Sequence, residues 1–331
     1  MKHQFIRNHD GRVMDEKLYG DTIINFLYSG RRENENFFLK VFSGRIFNDL
    51  LGFMNFDMPF VSSLLNNRKF LERNGVNLDE CFHSVSWFDT PRKIFERQIR
   101  FWKYRPISGR DGDIVSPSDS KVIAGSLSEK SLLLIKNKFF NVEELVGKSE
   151  WNELFKSGDF AIFRLTPDKY HYNHCPVSGT VVDFFELDGR YYSCNPAAVT
   201  KIVIPYSKNR RAVTVIDTDV ENGSRAGVVA VIEVAALMIG DIEQYYCEKY
   251  YENPVKLTPG MHVETGCVKS RFRPGSSTVI VLFEKDRINF ISEIIRNNSN
   301  TNVESRYSLA FNQNIVETEI NARETFARRS K

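Results

Sequence analysis

Apolar and polar positions alternate with two different periods along the chain. Across residues 37–65 the apolar side chains recur at spacings of three and four, as Phe38, Leu39, Val41, Phe42, Ile46, Phe47 and Leu50 and then Phe53, Met54, Phe56, Met58, Phe60 and Val61. That spacing predicts helix, broken at Pro59. Phe88–Ile99 predicts a further helix, with Asp89 or Thr90 as N-cap and Pro91 in the first turn. From Ile114 onward the texture changes to short β-branched and aromatic runs separated by Gly, Pro, Asn and Asp. Lys121–Ala124, Ala161–Leu165, Thr180–Phe185, Ala212–Ile216, Val228–Val234 and Thr278–Phe283 read as strands. After Arg296 the chain is polar, then weakly helical, and ends in basic residues, as a solvated tail would. The pattern predicts an α+β protein: a helical region over 1–105, a β-rich domain of sheets or a sandwich over 106–295, and a polar tail over 296–331.

Composition narrows the class of function. The chain has 331 residues, 42% hydrophobic and 26% charged, which is enough for a full core without disulfide or metal staples. The net charge of +3 is too small to argue for nucleic acid. Aromatic residues reach 13%, with a concentration in Phe37–Phe60 where Lys40, Arg45 and Arg68 interleave. Such a stripe either packs on the rest of the protein or lies on a membrane surface. The five cysteines are odd in number and contain no CxxC pair, so reduced thiols are expected. The N-terminal MKHQFIRNHDGR lacks the apolar core of a signal peptide, and no apolar run reaches the about 18 residues of a membrane span. The longest such stretch, Val228–Ile239, carries Glu233 in its middle. The expectation is a protein peripheral to a membrane on its cytoplasmic side.

Three segments could carry chemistry. His171 and His174 stand close together among Pro167, Pro176 and Gly179. Their spacing is not that of a helical zinc motif, so an acid or base role stays open beside a structural one. Ser116–Lys121 is a polar turn containing Asp119. Gly275, Ser276, Ser277 and Thr278 lead into the apolar run Val279–Phe283, matching neither a hydrolase elbow nor a phosphate-binding loop. Asp, His and Ser from separate segments can form an orienter, base and nucleophile, an order the chain permits.

Taken in sequence, these segments resemble the phosphatidylserine decarboxylase family. SWFDTPRKIFERQIR is similar to a helix that precedes the family's first catalytic motif. SPSDSKVIAGS, FRLTPDKYHYNHCPVSGTV, ELDGRYYSCNPAA, NRRAVTVIDT, VVAVIEVAALMIGDI and TGCVKSRFRPGSSTVIVLFE resemble further family blocks, collinear over roughly residues 85 to 285. Ser120 and Ser276 stand where the family usually has Gly.

The resemblance implies a pyruvoyl enzyme that forms its own cofactor by self-cleavage. It implies that Asp119 orients His174, that His174 deprotonates the reacting serine, and that His171 serves decarboxylation. Counting six residues back from Phe283 selects Ser277 as the serine that becomes pyruvoyl, with the Ser276–Ser277 bond broken. Counting from Gly275 alone selects Ser276 instead. The buried run fixes strand register more firmly than a turn does, which favours Ser277. No metal is implied. The implied reaction is phosphatidylserine to phosphatidylethanolamine at a membrane surface, by a protein that is a candidate homodimer. The alternatives are decarboxylation of a free amino acid such as tryptophan on the same fold, and an unprocessed lipid-binding relative without catalysis.

Overall fold

The computed structural model describes residues 2–18, 72, 75–107, 109–110, 112–127, 139–202, 205–236, 241–275 and 277–330. The aromatic stripe of Phe37–Phe60 and the residue Ser276 lie outside the described residues.

Strands dominate. In chain order they are β1 (Gln4–Arg7), β2 (Val13–Asp15), β3 (Asp113–Val115), β4 (Ser120–Ser126), β5 (Asp159–Leu165), β6 (Tyr172–His174), β7 (Gly179–Leu187) and β8 (Arg211–Asp217). They continue with β9 (Val228–Ala235), β10 (Ile242–Cys247), β11 (His262–Val263), β12 (Val268–Phe272), β13 (Ser277–Phe283), β14 (Ile288–Phe290), β15 (Glu317–Ile320) and β16 (Thr325–Arg329). All six runs read as strands from the sequence form strands.

One sheet of ten strands runs β11-β7-β8-β9-β13-β5-β4-β15-β1-β2. Two sheets of three strands, β10-β12-β6 and β14-β16-β3, accompany it among the described residues. Strand β13 sits between β9 and β5, antiparallel to both, and every residue from Ser277 to Phe283 is buried. A strand covered on both faces should read as a continuous apolar run, and Val279–Phe283 does.

Alternation along β13 sorts its side chains onto two faces. Val279, Val281 and Phe283 enter a core that also holds Phe95, Cys175, Val177, Tyr246, Phe272 and Phe326, so this face packs against the small sheets. Ile280 and Leu282 enter a second core with Val142, Leu145, Phe155, Tyr307 and Phe311, which belong to helices. The molecule is thus an α+β fold, a sheet sandwich on one side and a helical layer on the other.

Two expectations change. Within 1–105, helix among the described residues is confined to short pieces, including α1 (Pro91–Phe95) and α2 (Phe101–Tyr104). Thr90 caps α1 through its side chain, with Pro91 at the first position as expected. The helix ends well before Ile99 because that residue bridges to Cys81 in extended pairing. Residues 4–7 and 13–15 are strands instead. The tail is not a solvated end either: β15 pairs with β4 and β1, β16 pairs with β3 and β14, and Glu317, Thr318, Ile320 and Phe326 are buried.

A buried charge network ties the two ends of the chain to the central strands. Arg164 donates from Nε to Glu317 Oε1 at 2.8 Å and from Nη1 to Glu16 Oε1 at 2.9 Å. His3 Nε2 lies 2.8 Å from Glu317 Oε2, and Lys121 Nζ lies 3.5 Å from Glu16 Oε2. The two glutamates need these cations once they leave water, so the first and last segments of the chain are fastened to the central strands. Local periodicity carries no trace of such long-range pairing.

Candidate active site

His171 and His174 are both fully buried, on and just before β6. They occupy different surroundings. The His174 Nδ1 is 2.9 Å from the Gly266 carbonyl oxygen. A carbonyl only accepts, so Nδ1 carries the proton and Nε2 is left with its lone pair. Nε2 is 3.2 Å from the Tyr170 hydroxyl. Tyr251 sits 2.9 Å from the same hydroxyl and gives its own proton to the Ile99 carbonyl at 2.8 Å, so Tyr170 is free to donate to His174. Burial pushes the His174 pKa down to about 3, against help from the Gly266 carbonyl. The ring is therefore a neutral base with its acceptor nitrogen defined.

The His171 ring stacks on Phe95 with centroids 3.6 Å apart and planes 19° from parallel. Neither of its ring nitrogens makes a well-formed hydrogen bond among the described residues. Burial, and then the nearby Arg97 guanidinium, push its pKa down to about 3. Arg97 is itself buried and donates to the carbonyls of Ile94, at 3.1 Å, and Asp168, at 2.5 Å.

Asp119 is buried in the turn just before β4. Its carboxylate accepts from Arg105 Nε at 2.9 Å, Arg105 Nη2 at 2.8 Å and the Ala322 backbone N–H at 2.8 Å. Burial would raise its pKa, but the Arg105 guanidinium holds the carboxyl below the ordinary carboxylate value. Among the described residues Asp119 makes no hydrogen bond to His174. The two segments meet through the backbone, where the His174 N–H donates to the Pro117 carbonyl at 2.7 Å. Asp119 thus holds the turn on which His174 is hung, and its charge favours the protonated imidazole.

Ser277 opens β13 opposite Leu165 on β5 and Ala235 on β9. By alternation its side chain is on the face of Val279, where Phe95 and the sheet carrying His174 pack. Its hydroxyl is buried and has no hydrogen-bond partner among the described residues. A buried hydroxyl left unpaired costs about 1–3 kcal/mol, so the position is not set by stability. The arrangement offers a buried hydroxyl with no hydrogen-bond partner among the described residues, a neutral imidazole at His174 packed against Phe101 and Tyr170, and a second buried imidazole at His171 stacked on Phe95.

Glu16, Glu317 and His3 are close enough to share an ion, but Arg164 and Lys121 already neutralise the carboxylates. Arg105, Tyr170, Tyr251 and Gly266 were not candidates from the sequence. Only Tyr170, adjacent to His171, carried a positional signal.

The two histidines have a measurable thermodynamic signature. In the unfolded chain each titrates near the ordinary value of about 6.5. Both are held neutral in the fold down to about pH 3. The unfolded state binds more protons between those limits, so their contribution is complete above pH 6.5 and is lost as pH falls toward 3. Each should cost roughly 1.4 kcal/mol per pH unit over most of that window. Urea unfolding from pH 7 to pH 5 should show a loss that shrinks in His171→Gln; an equal loss in the variant would contradict the assignment.

Comparison with known proteins identifies the family. Residues 93–310 match the family model for phosphatidylserine decarboxylase. The rice protein named phosphatidylserine decarboxylase proenzyme 2 is 35% identical over 237 residues, 70% of this chain and 35% of that protein. The Clostridium tetani phosphatidylserine decarboxylase proenzyme is 29% identical over 284 residues, 85% of this chain and 87% of the relative. The Fusobacterium nucleatum proenzyme is 27% identical over 305 residues, 90% and 93% of the two chains. The chain spans about a third of the rice protein but most of the two bacterial ones. Because the matched region covers more than half of the chain and contains Asp119, both histidines and Ser277, this protein belongs to the phosphatidylserine decarboxylase family.

Proposed function

We propose that this chain is made as a proenzyme, cleaves itself between Ser276 and Ser277, and then decarboxylates phosphatidylserine to phosphatidylethanolamine. The observation that carries this reading is the Ser277 hydroxyl, buried, unpartnered and fixed at the head of a strand held from both sides.

In self-cleavage His174 Nε2 takes the Ser277 hydroxyl proton and the oxygen attacks the carbonyl of residue 276. The carbon–nitrogen bond breaks and an ester replaces the amide. Elimination releases the residue 276 carboxylate and leaves dehydroalanine at 277, which water converts to a pyruvoyl group and ammonia. That pyruvoyl group, when present, supplies the electron sink for loss of CO2. The position fits it, because the Ser277 side chain meets no competing hydrogen bond among the described residues. His171, neutral and buried against Phe95, is suited to hold or move a proton on the substrate side. Residues 277–331 contribute strands to all but one of the sheets, so β-pairing would keep the two products of cleavage together.

Action at a membrane surface is part of the same proposal. Phe82 and Tyr250 are 49% and 40% exposed and belong to an aromatic group with Trp102 and Tyr251. Phe101, which touches Trp102, packs edge-on against His174. Aromatic side chains of this kind favour the membrane–water boundary. Among the described residues no helix is long and apolar enough to cross a membrane.

Mass spectrometry of the purified protein, with CO2 release from phosphatidylserine in detergent and from free amino acids, tests the reading. Two fragments split at 276–277, a pyruvoyl terminus and CO2 from the lipid are expected. An intact chain would overturn self-cleavage, and CO2 from free amino acids alone would overturn the lipid substrate.

A further inference from the structure

The chain leaves β12 at Phe272 and enters β13 at Ser277, crossing between two different sheets in four residues. The segment that joins the two strands is residues 273–276. Its first residue, Arg273, is fastened at several points. The Arg273 N–H donates to the Asp241 carbonyl at 2.9 Å. Its Nη1 donates to both carboxylate oxygens of Glu96, at 3.0 and 2.9 Å, and its Nη2 lies 3.1 Å from Glu243 Oε2. Arg271 Nε also donates to Glu243, at 2.8 Å, and Arg92 Nη1 donates to Glu96 at 3.1 Å.

These anchors converge on the histidine. Glu96 follows Phe95, whose ring stacks on His171. The Phe272 N–H donates to the His171 carbonyl at 3.0 Å. The crossover and the His171 surroundings are therefore one mechanical unit. Side chains as open to water as Arg273, at 32%, and Glu243, at 37%, add little stability by pairing. What the network does add is geometry: it fixes the point and direction from which the chain departs toward Ser277.

We propose that Arg273 is a positioning residue for self-cleavage, acting through the Glu96 and Glu243 carboxylates to fix the point from which the chain departs toward Ser277. This inference rests on the self-cleavage reading above. In the step concerned, the Ser277 oxygen bonds to the residue 276 carbonyl carbon and the 276–277 carbon–nitrogen bond breaks. The hydroxyl proton passes through the base to the departing nitrogen. Arg273 touches none of these atoms. Attack of this kind needs near-attack alignment, and a displacement of about 1 Å can cost about a hundredfold in rate.

The test is a time course of full-length chain made by cell-free synthesis and followed on denaturing gels. Arg273→Ala should mature at least about tenfold more slowly than wild type, with an unchanged melting temperature. Glu96→Gln should slow it in the same direction. Arg273→Lys, which keeps the charge but not the two-pronged contact, should restore part of the rate. Hydroxylamine, which cleaves esters, should not speed the Ala variant, because the loss precedes ester formation. Wild-type maturation of Arg273→Ala, rescue by hydroxylamine, or slow maturation that tracks a lowered melting temperature in all three variants would each overturn the positioning role. If the wild-type chain itself stays whole, self-cleavage and this inference fall together; if it matures and Arg273→Ala matches it, only this inference falls.

Discussion

Ser277→Ala should leave the chain at full length, with no fragment of residues 277–331, no carbonyl-reactive terminus and no CO2 from phosphatidylserine. The substitution removes one oxygen from a buried position where it has no hydrogen-bond partner among the described residues. The fold should therefore survive, and the melting temperature should stay the same or rise, because deleting an unpaired buried hydroxyl removes a cost. Ser276→Ala should still mature. The contrast arises from register: Ser277 is the first residue of β13 paired on both sides, and a one-residue slip would exchange every side chain of β13 between its two cores. Intact mass measurement of both variants decides the matter. Maturation of Ser277→Ala with arrest of Ser276→Ala would move the reacting serine one residue back.

His174→Ala should also arrest maturation, whereas His171→Gln should mature and then lose decarboxylation. General-base help of this type is worth about 10² to 10⁴ in rate, so His174→Ala should show no cleavage on the timescale of wild-type completion. The separation follows from the surroundings. His174 has its proton fixed on Nδ1 by Gly266 and presents Nε2 as an acceptor. His171 is held by ring stacking on Phe95. Maturation should persist from neutral pH down to about pH 4, since His174 gains a proton only near pH 3. A gel time course for cleavage and CO2 release from the matured protein report the two steps separately. Arrest of cleavage in His171→Gln would merge the two roles.

Much of the fold was legible one strand at a time. β4, β5, β8, β9 and β13 each announce themselves as short β-branched runs because a covered strand needs apolar side chains whatever its neighbours are. The order of those strands was not legible, since pairing joins residues far apart in the chain and leaves no local period. The N-terminal strands show this most clearly. Gln4–Arg7 is four residues of mixed character, and it is a strand because β15 lies beside it and because Arg164 draws Glu16 and Glu317 together. The tail misleads for the same reason. Its polar residues look solvated, yet Glu317 is buried against Arg164 and Thr318 is buried within the sheet, paired with Val122.

The candidate site divides along the same line. Sequence alone determined which side chains to consider: Asp119, His171, His174 and the serine pair stand in segments that resemble one family in one order. It also determined the register that favours Ser277, because Val279–Phe283 must be buried. Only the tertiary structure decided what each group faces. It gave Asp119 to Arg105 and Ala322, defined the His174 tautomer through Gly266, set His171 on Phe95, and tied Arg273 to Glu96. The physical reason is that residue type fixes what chemistry a side chain can perform, while proton position, burial and electrostatic partners depend on atoms that only the folded chain brings within a few ångströms.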